Sequence, residues 1–551
     1  MKLTKYGKNH KNIRIILLVI ILILFLGVGY SLLESNLSIS ANLLVKKYQD
    51  PIIGSYSSIL KDTYLSDTYR EKIKTVTLKE GYKVPSNAVI SWDIGAAKNK
   101  NVMAYLTVNQ SDNTMYDLYI EGFGGLMTGT DASKMFWNMT NVDSINGLDI
   151  LDTSKAMYMY MMFHHTGYNS ASFTLDLGDN FNTSKVVSMF NMFDGAGYNS
   201  TSFTLDLGSN FDTSKVTNGS SMFFETGYKS TVFTLDLGDK FDTSKFTTMN
   251  SMFYNTGYSS PVFTLNLGNN FDTSNVTTMA SMFLNTGYNS TVFTLDLGSS
   301  FNTSKVTDMS WMFSCTGYSS PVFTLNLGNS FDTSKVTDMS WMFNEIGYSS
   351  PVFTLNLGSS FDTSLVNNMS YMFRNVGYTN SSFTLNLGNS FNTSNVTDMK
   401  YMFYAVGYSN TGFVLNLGSS FDTSNVTDME AMFMKAGYSN TGFTLDLGNN
   451  FNTSKVTNMK KMFSNIGYDR IYDDYVLDLS SLDLSHSNSY SDFLYGVTFK
   501  KVIMNGSSFN SSADFTNFIQ TGNPLTLVVK TNSDKVLIDN LNISNLTVIV
   551  G

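Results

Sequence analysis

A thirty-residue period constrains this chain more than any other feature. F-x-T-S begins at Phe181, Phe211, Phe241, Phe271, Phe301, Phe331, Phe361, Phe391, Phe421 and Phe451, with a degenerate LDTS at Leu151. A Met-Phe pair follows each copy at constant offset, from Met162-Phe163 to Met462-Phe463. A Gly-Tyr comes next, from Gly167-Tyr168 to Gly467-Tyr468. Between copies lies F-T-L-[DN]-L-G, from Phe173 to Phe443, with one F-V-L variant at Phe413. A closed globular fold gives each segment different neighbours. An uninterrupted period gives every segment the same neighbours, which is the signature of a solenoid.

The residues of one copy predict its path. In Phe233–Gly238, Phe233, Leu235 and Leu237 share one face, while Thr234 and Asp236 face the other way, as in a short strand. Gly238 suits the positive φ of a tight corner. The D-T-S that follows is rich in helix-capping side chains. Val306, Met309, Met312 and Phe313 then fall at helical spacing, which predicts one or two helical turns ended by Gly317. Tyr318 and S-S-P-V return the chain to the next strand. The expected fold class is therefore a solenoid of strand plus short-helix coils. About eleven coils at ~4.8 Å spacing would span ~50 Å. Identical coils are each other's partners, so the residues that meet must match in every copy.

The rest of the chain divides around these repeats. Residues 1–44 combine a basic tail (five Lys/Arg and no acid before Ile15) with an uncharged, mostly apolar stretch at 15–33. That length can span a bilayer, and the basic flank would keep the N-terminus inside. A cleaved signal fits as well, with Ser38-Ile39-Ser40 before Ala41 as the small-x-small site. No lipobox Cys follows, and the terminal LTVIVG shows no sorting motif. Residues 45–150 lack the period; YREKIKTVTL, AVISWDIG, VMAYLTV and YDLYIEG read as strands of a β-rich N-terminal cap. Residues 151–470 form the repeat solenoid. Residues 471–551 decay through YVLDLSSLDLS into degenerate repeats and a C-terminal cap, since a solenoid needs atypical ends to cover its open faces.

Composition argues against several function classes. One cysteine, Cys315, means that disulfides do not hold the fold. It aligns with Gly195, Glu225 and Glu345, so its slot is expected to be exposed. The net charge of −9, with no strong basic patch after the first fourteen residues, makes nucleic acid an unexpected partner. The four histidines, His10, His164, His165 and His486, show no metal-ligand spacing, and the acids fall in repeated slots. An active site breaks symmetry, so no enzyme activity, catalytic residue or metal is expected. Met309-x-x-Met312 could bind Cu(I) through its thioethers, but it shares the stripe of Val306 and Phe313, which a core needs. No cofactor is expected.

Two surfaces qualify as candidate sites. The outward strand face carries a polar ladder that includes Thr234, Asp236, Thr264, Asn266, Thr294, Asp296, Thr324 and Asn326. Stacked amides can bond along such a column. Its structural role outweighs a cation site at Asp176, Asp206 and Asp236. The residue before each Met-Phe pair varies: Asn191, Ser221, Ser251, Ser281, then Trp311, Trp341, Tyr371 and Tyr401, then Ala431 and Lys461. A slot that accepts Ser and Lys is expected to be exposed, and four consecutive aromatics would form a ligand-contact row. The competing reading has the same rings lying flat over the core.

The F-[DN]-T-S-x-V-T-D-M-x-x-M-F unit resembles the BspA-like leucine-rich-repeat surface proteins of bacteria, including their lipoprotein-like repeat domain. SWDIG at 91–95, VMAYL at 102–106, YDLYIEG at 116–122 and KMF at 134–136 look like the lead-in of such proteins. The strict thirty-residue period, with its G-Y-x-S, and the missing cell-wall sorting signal depart from their pattern. The resemblance implies a surface protein used for binding and no enzyme. The expectation is an exported bacterial surface protein, extracellular and either membrane-anchored through 15–33 or secreted. Its solenoid would bind a protein or glycan on a host or neighbouring cell. The alternative is a structural surface spacer with no specific ligand.

Overall fold

The computed structural model describes residues 51–55, 67–81, 83–357, 361–388, 390–440, 442–468 and 476–551. The tail and apolar segment expected at 1–44 lie outside these. Among the described residues, no helix is long and apolar enough to cross a membrane.

The chain is a repeat solenoid. Each F-T-L-[DN] segment is a strand, from Ser172–Asp176 to Thr444–Asp446. The alternation read from the sequence is realised in space. In Val232–Asp236, Phe233 and Leu235 are buried, whereas Val232, Thr234 and Asp236 are exposed. Strands from successive coils run parallel and in register, residue i against residue i+30: Phe233 against Phe263, Leu235 against Leu265, Asp236 against Asn266. Rings therefore stack in columns. Phe233 and Phe263 have centroids 5.7 Å apart, and Phe263 and Phe293 5.4 Å. A second column runs through the Met-Phe phenylalanines, such as Phe313 and Phe343 at 5.6 Å. A third runs through the F-x-T-S phenylalanines, such as Phe301 and Phe331 at 6.2 Å. Val306, Met309, Met312 and Phe313 are completely buried, so the methionines serve as core filler.

The strand wall joins coils two by two. Regular pairing links 232–236 to 262–266, 292–296 to 322–326, and 352–356 to 382–386. The Phe rings lie closer to parallel within a pair (25° for Phe233 and Phe263) than across pairs (35° for Phe263 and Phe293). The opposite wall carries no such alternation. There a series of single parallel bridges runs unbroken from Asp131–Tyr158 to Asp428–Asn458.

The expected short helix is absent: the described residues of every coil form consecutive turns there. Backbone N–H groups donate three residues back, from Met312 to Met309 O, Ser314 to Trp311 O and Thr316 to Phe313 O. The intervening N–H groups donate to the next coil instead: Met309 to Asp338 O, Trp311 to Ser340 O, Phe313 to Met342 O and Cys315 to Asn344 O. Left-handed conformations at Trp311 (φ 61°), Cys315 (φ 55°) and Gly317 (φ 59°) break any helix. A turn chain of this kind points a residue inward every three or four positions, as a helix does, so side-chain periodicity does not distinguish them.

D-T-S caps no helix either. Asp332 Oδ1 accepts from Ser334 N–H, forming a local turn. Buried Thr303 donates its hydroxyl to Asp332 O (2.6 Å) and accepts from Asp332 N–H (2.7 Å), one coil on. The same hydroxyl bond recurs at Thr183, Thr213, Thr243, Thr273, Thr333, Thr363, Thr393, Thr423 and Thr453. It is an internal seam between coils.

Sheets cap both ends. The strand wall continues from Ser202–Asp206 and Ser172–Asp176 to Ser144–Asn146, Ile73–Glu80 and Tyr116–Gly122. Val102–Val108 and Ile90–Asp93 then add in antiparallel fashion. At the other end, Val476–Asp478, Lys501–Met504, Leu525–Val529 and Leu546–Val550 form a parallel sheet. The helix Asn532–Asp539, held by a Thr531/Asp534 capping box, buries Ile538 against it.

From Gly167 to Gly437, the glycine of each Gly-Tyr lies in the left-handed region and against its own coil's strand phenylalanine. A Cβ on Gly317 would lie 2.3 Å from Phe323 Cδ2, whereas one on Gly298 (φ 69°) would meet nothing within 4 Å. Gly298→Ala should therefore cost about 1–2 kcal/mol, the left-handed penalty alone. Gly317→Ala should cost clearly more. Urea midpoints of the two variants check the order, and equal losses would contradict the packing.

Candidate functional site

The outward strand face is engaged in the fold's own hydrogen bonds. Asn266 Nδ2 donates to Asp236 Oδ1 and Asn326 Nδ2 to Asp296 Oδ1, both at 3.0 Å. The side-chain oxygens of Asp236, Asn266, Asp296 and Asn326 also accept from the glycine N–H two residues on, which fixes the corner. Placing Asn opposite Asp replaces like-charge repulsion with a bond. Thr234, Thr264 and Thr294 stand exposed between buried neighbours, and Thr324 is exposed between buried Phe323 and half-buried Leu325. Asp176, Asp206 and Asp236 do not converge on a common point: among the described residues, the one group of three or more acids, histidines or cysteines able to hold a metal ion lies elsewhere.

The turn wall carries the aromatic row. Trp311 and Trp341 stack with centroids 4.3 Å apart and planes 6° from parallel. Trp341 and Tyr371 follow at 3.9 Å and 6°, and Tyr371 and Tyr401 at 4.8 Å and 3°. All four are half-buried, between the exposed row and the covered one that the sequence allowed. Their backbone is left-handed, at φ 61°, 60°, 61° and 56°. The rings stack face to face from coil to coil, so they neither lie flat over the core nor offer their inner faces. Each inner face is taken by the neighbouring ring, and the row presents ring edges. Tyr401 hydroxyl donates to Glu430 Oε1 (3.4 Å), and burial followed by that carboxylate pushes its pKa up to about 12.

A charged strip flanks the row. Arg374 pairs with Glu345 and donates to Asn344 Oδ1 (3.1 Å). Its guanidinium stands 5.9 Å from the Trp341 ring and 5.4 Å from the Tyr404 ring. Cys315 is half-buried, not exposed, because its thiol points at Glu345 Oε2 (3.5 Å). Burial first, and then the Glu345 charge, pushes the thiol up to about 12.

Beyond this strip lies a feature that the sequence reading passed over: the tyrosines of the Gly-Tyr motif stack from Tyr168 to Tyr468. Tyr198 and Tyr228 are 4.4 Å apart, Tyr288 and Tyr318 4.5 Å, and Tyr378 and Tyr408 4.2 Å. Burial and the adjacent hydroxyls raise Tyr228 well above its usual range. The signal was present as an invariant aromatic at constant offset.

A second missed feature lies where the repeats begin. His164, His165 and Asp194 each bring one potential ligand atom within 4.8 Å of the others. His164 and Asp194 stand thirty residues apart, so only the coil register reveals that they meet. His165 is pushed down to about 4 by burial and by the neighbouring His164.

The described geometry predicts an inert thiol. At pH 8 the native chain should resist alkylation at Cys315, and the denatured chain should react fully. Mass spectrometry reads both; rapid labelling of the native chain would contradict the buried placement.

A family model described as "Mycoplasma protein of unknown function, DUF285" matches residues 130–259, 228–345, 319–436 and 379–505. No curated protein matches, and no solved structure matches. The overlapping matches cover more than half of the chain and all of its described repeats, and the chain belongs to this Mycoplasma repeat family.

Proposed function

We propose that this is an exported bacterial surface protein, related to the BspA-like surface proteins, whose solenoid is a binding or adhesion module for a protein or glycan partner. Residues 15–33 would tether it to the membrane or direct its secretion. One observation carries the reading: Trp311, Trp341, Tyr371 and Tyr401 replace the serines of Ser221, Ser251 and Ser281 in four consecutive coils. They stack into one outward ridge at spacings of 3.9–4.8 Å. The core does not require this change, since earlier coils fold with Ser at a matching φ of 52–58°. Aromatic ridges beside an arginine are common at recognition surfaces. Because the inner ring faces are occupied, a partner lying along the row would meet ring edges and the Arg374–Glu345 strip.

The spacer reading draws on a different observation. The hydroxyl seam and the tyrosine column run through the coils without regard to the ridge, as a part that only sets distance would require.

The two separate on a glycan and matrix-protein array probed with residues 45–551. Binding should fall at least about tenfold when Trp311, Trp341, Tyr371 and Tyr401 all become Ser. Serine is the residue the same column carries in other coils, so circular dichroism should show the fold retained. Unchanged binding by the folded variant removes the ridge from the interface, and absence of any array binding favours the spacer.

A further inference from the structure

At the N-terminal end of the repeats, two variable columns of the turn wall bring two histidines and an aspartate together. His164 and Asp194 occupy one column of the turn wall, and His165 and Gly195 the next. His165 N–H donates to Asp194 O (2.7 Å), which fixes the two coils against each other. His164 Nε2 lies 3.3 Å from Asp194 Oδ2, and the His164 and His165 rings have centroids 3.9 Å apart. Asp194 is 8% exposed and also accepts from Asn191 Nδ2 (3.0 Å).

Two further facts mark the place as unusual. A Cβ on Gly195 would lie 2.3 Å from His165 Cδ2 and 3.0 Å from its Nε2. Later coils carry side chains in that column, including Glu225, Asn255 and Asn285. The glycine is therefore what admits the His165 ring. His164 Nδ1 is buried with no hydrogen-bond partner, an arrangement that burial penalises. Nothing in the stacking of coils demands either feature.

We propose that His164, His165 and Asp194 form a binding site for a late first-row divalent cation, with Zn²⁺ as the best-matched member. One nitrogen from each ring and one carboxylate oxygen serve as ligands. Two imidazoles and a carboxylate suit zinc and leave a fourth position for water or another donor. Calcium and magnesium prefer oxygen-only shells of six or more. Bonds of about 2.0–2.2 Å require the donors to draw together by roughly 1 Å, within reach of side-chain rotation. The ligands come from two successive coils, so the ion would clamp the first F-x-T-S boundary. The site shares no residue with the aromatic ridge and stands or falls independently of it.

The test uses the full chain, untagged and solubilised in detergent, stripped with a chelator and titrated with Zn²⁺ at pH 7.5. One equivalent should bind with release of heat and raise the melting temperature. His165→Gln and Asp194→Asn should each weaken binding about tenfold or more, while His486→Gln leaves it unchanged. If a variant fails to fold, X-ray absorption at the zinc edge of the parent chain decides, and two imidazole donors are expected. No binding, unaltered binding in the folded variants, or a shell lacking two imidazoles overturns the site.

Discussion

The fold depends on one constraint: each coil's unpaired backbone and apolar faces are completed only by the same atoms of the coil thirty residues away. Phe233 meets Phe263 in the strand wall and Met309 N–H finds Asp338 O in the turn wall. Thr303 reaches Asp332 inside. A substitution at any of these positions is felt by two neighbours at once. That accounts for a period kept without insertion, and for near-identical stretches such as 301–313 and 331–343.

The two walls use the constraint differently. The turn wall donates an N–H to the next coil at alternate residues and so propagates without interruption. The strand wall pairs coils two by two, and Leu265, in the second strand of its pair, is 9% exposed where Leu235, in the first, is fully covered. Variation is tolerated where side chains leave these networks. The column of Ser281, Trp311 and Ala431 keeps one left-handed backbone under three different side chains. There the side chain can change while the main-chain bonds stay. Recognition by this chain would therefore be written on the turn wall.

Much of the fold was legible in the residues. The alternation of Phe233, Leu235 and Leu237 gave the strand, and fixed spacing gave the register. The helix reading of Val306, Met309, Met312 and Phe313 failed because repeated turns and helices bury side chains at similar intervals. What separates them is the destination of the N–H groups, which leaves no mark on side-chain pattern. The aromatic row was visible as a run of variant letters, but the stacking that occupies its faces was not. The His164–His165–Asp194 cluster escaped because Asp194 stands thirty residues from the histidine pair, although a column-by-column comparison of coils brings them together.

The direct test is a deletion in phase with the period. Removing residues 301–330 joins Ser300 to Phe331 and should leave a folded, cooperative chain, shorter by about one strand spacing of ~4.8 Å in solution scattering. Removing 301–315 puts the coils out of step and should abolish that fold. If the in-phase deletion unfolds the chain as the out-of-phase one does, coils do not complete one another in register.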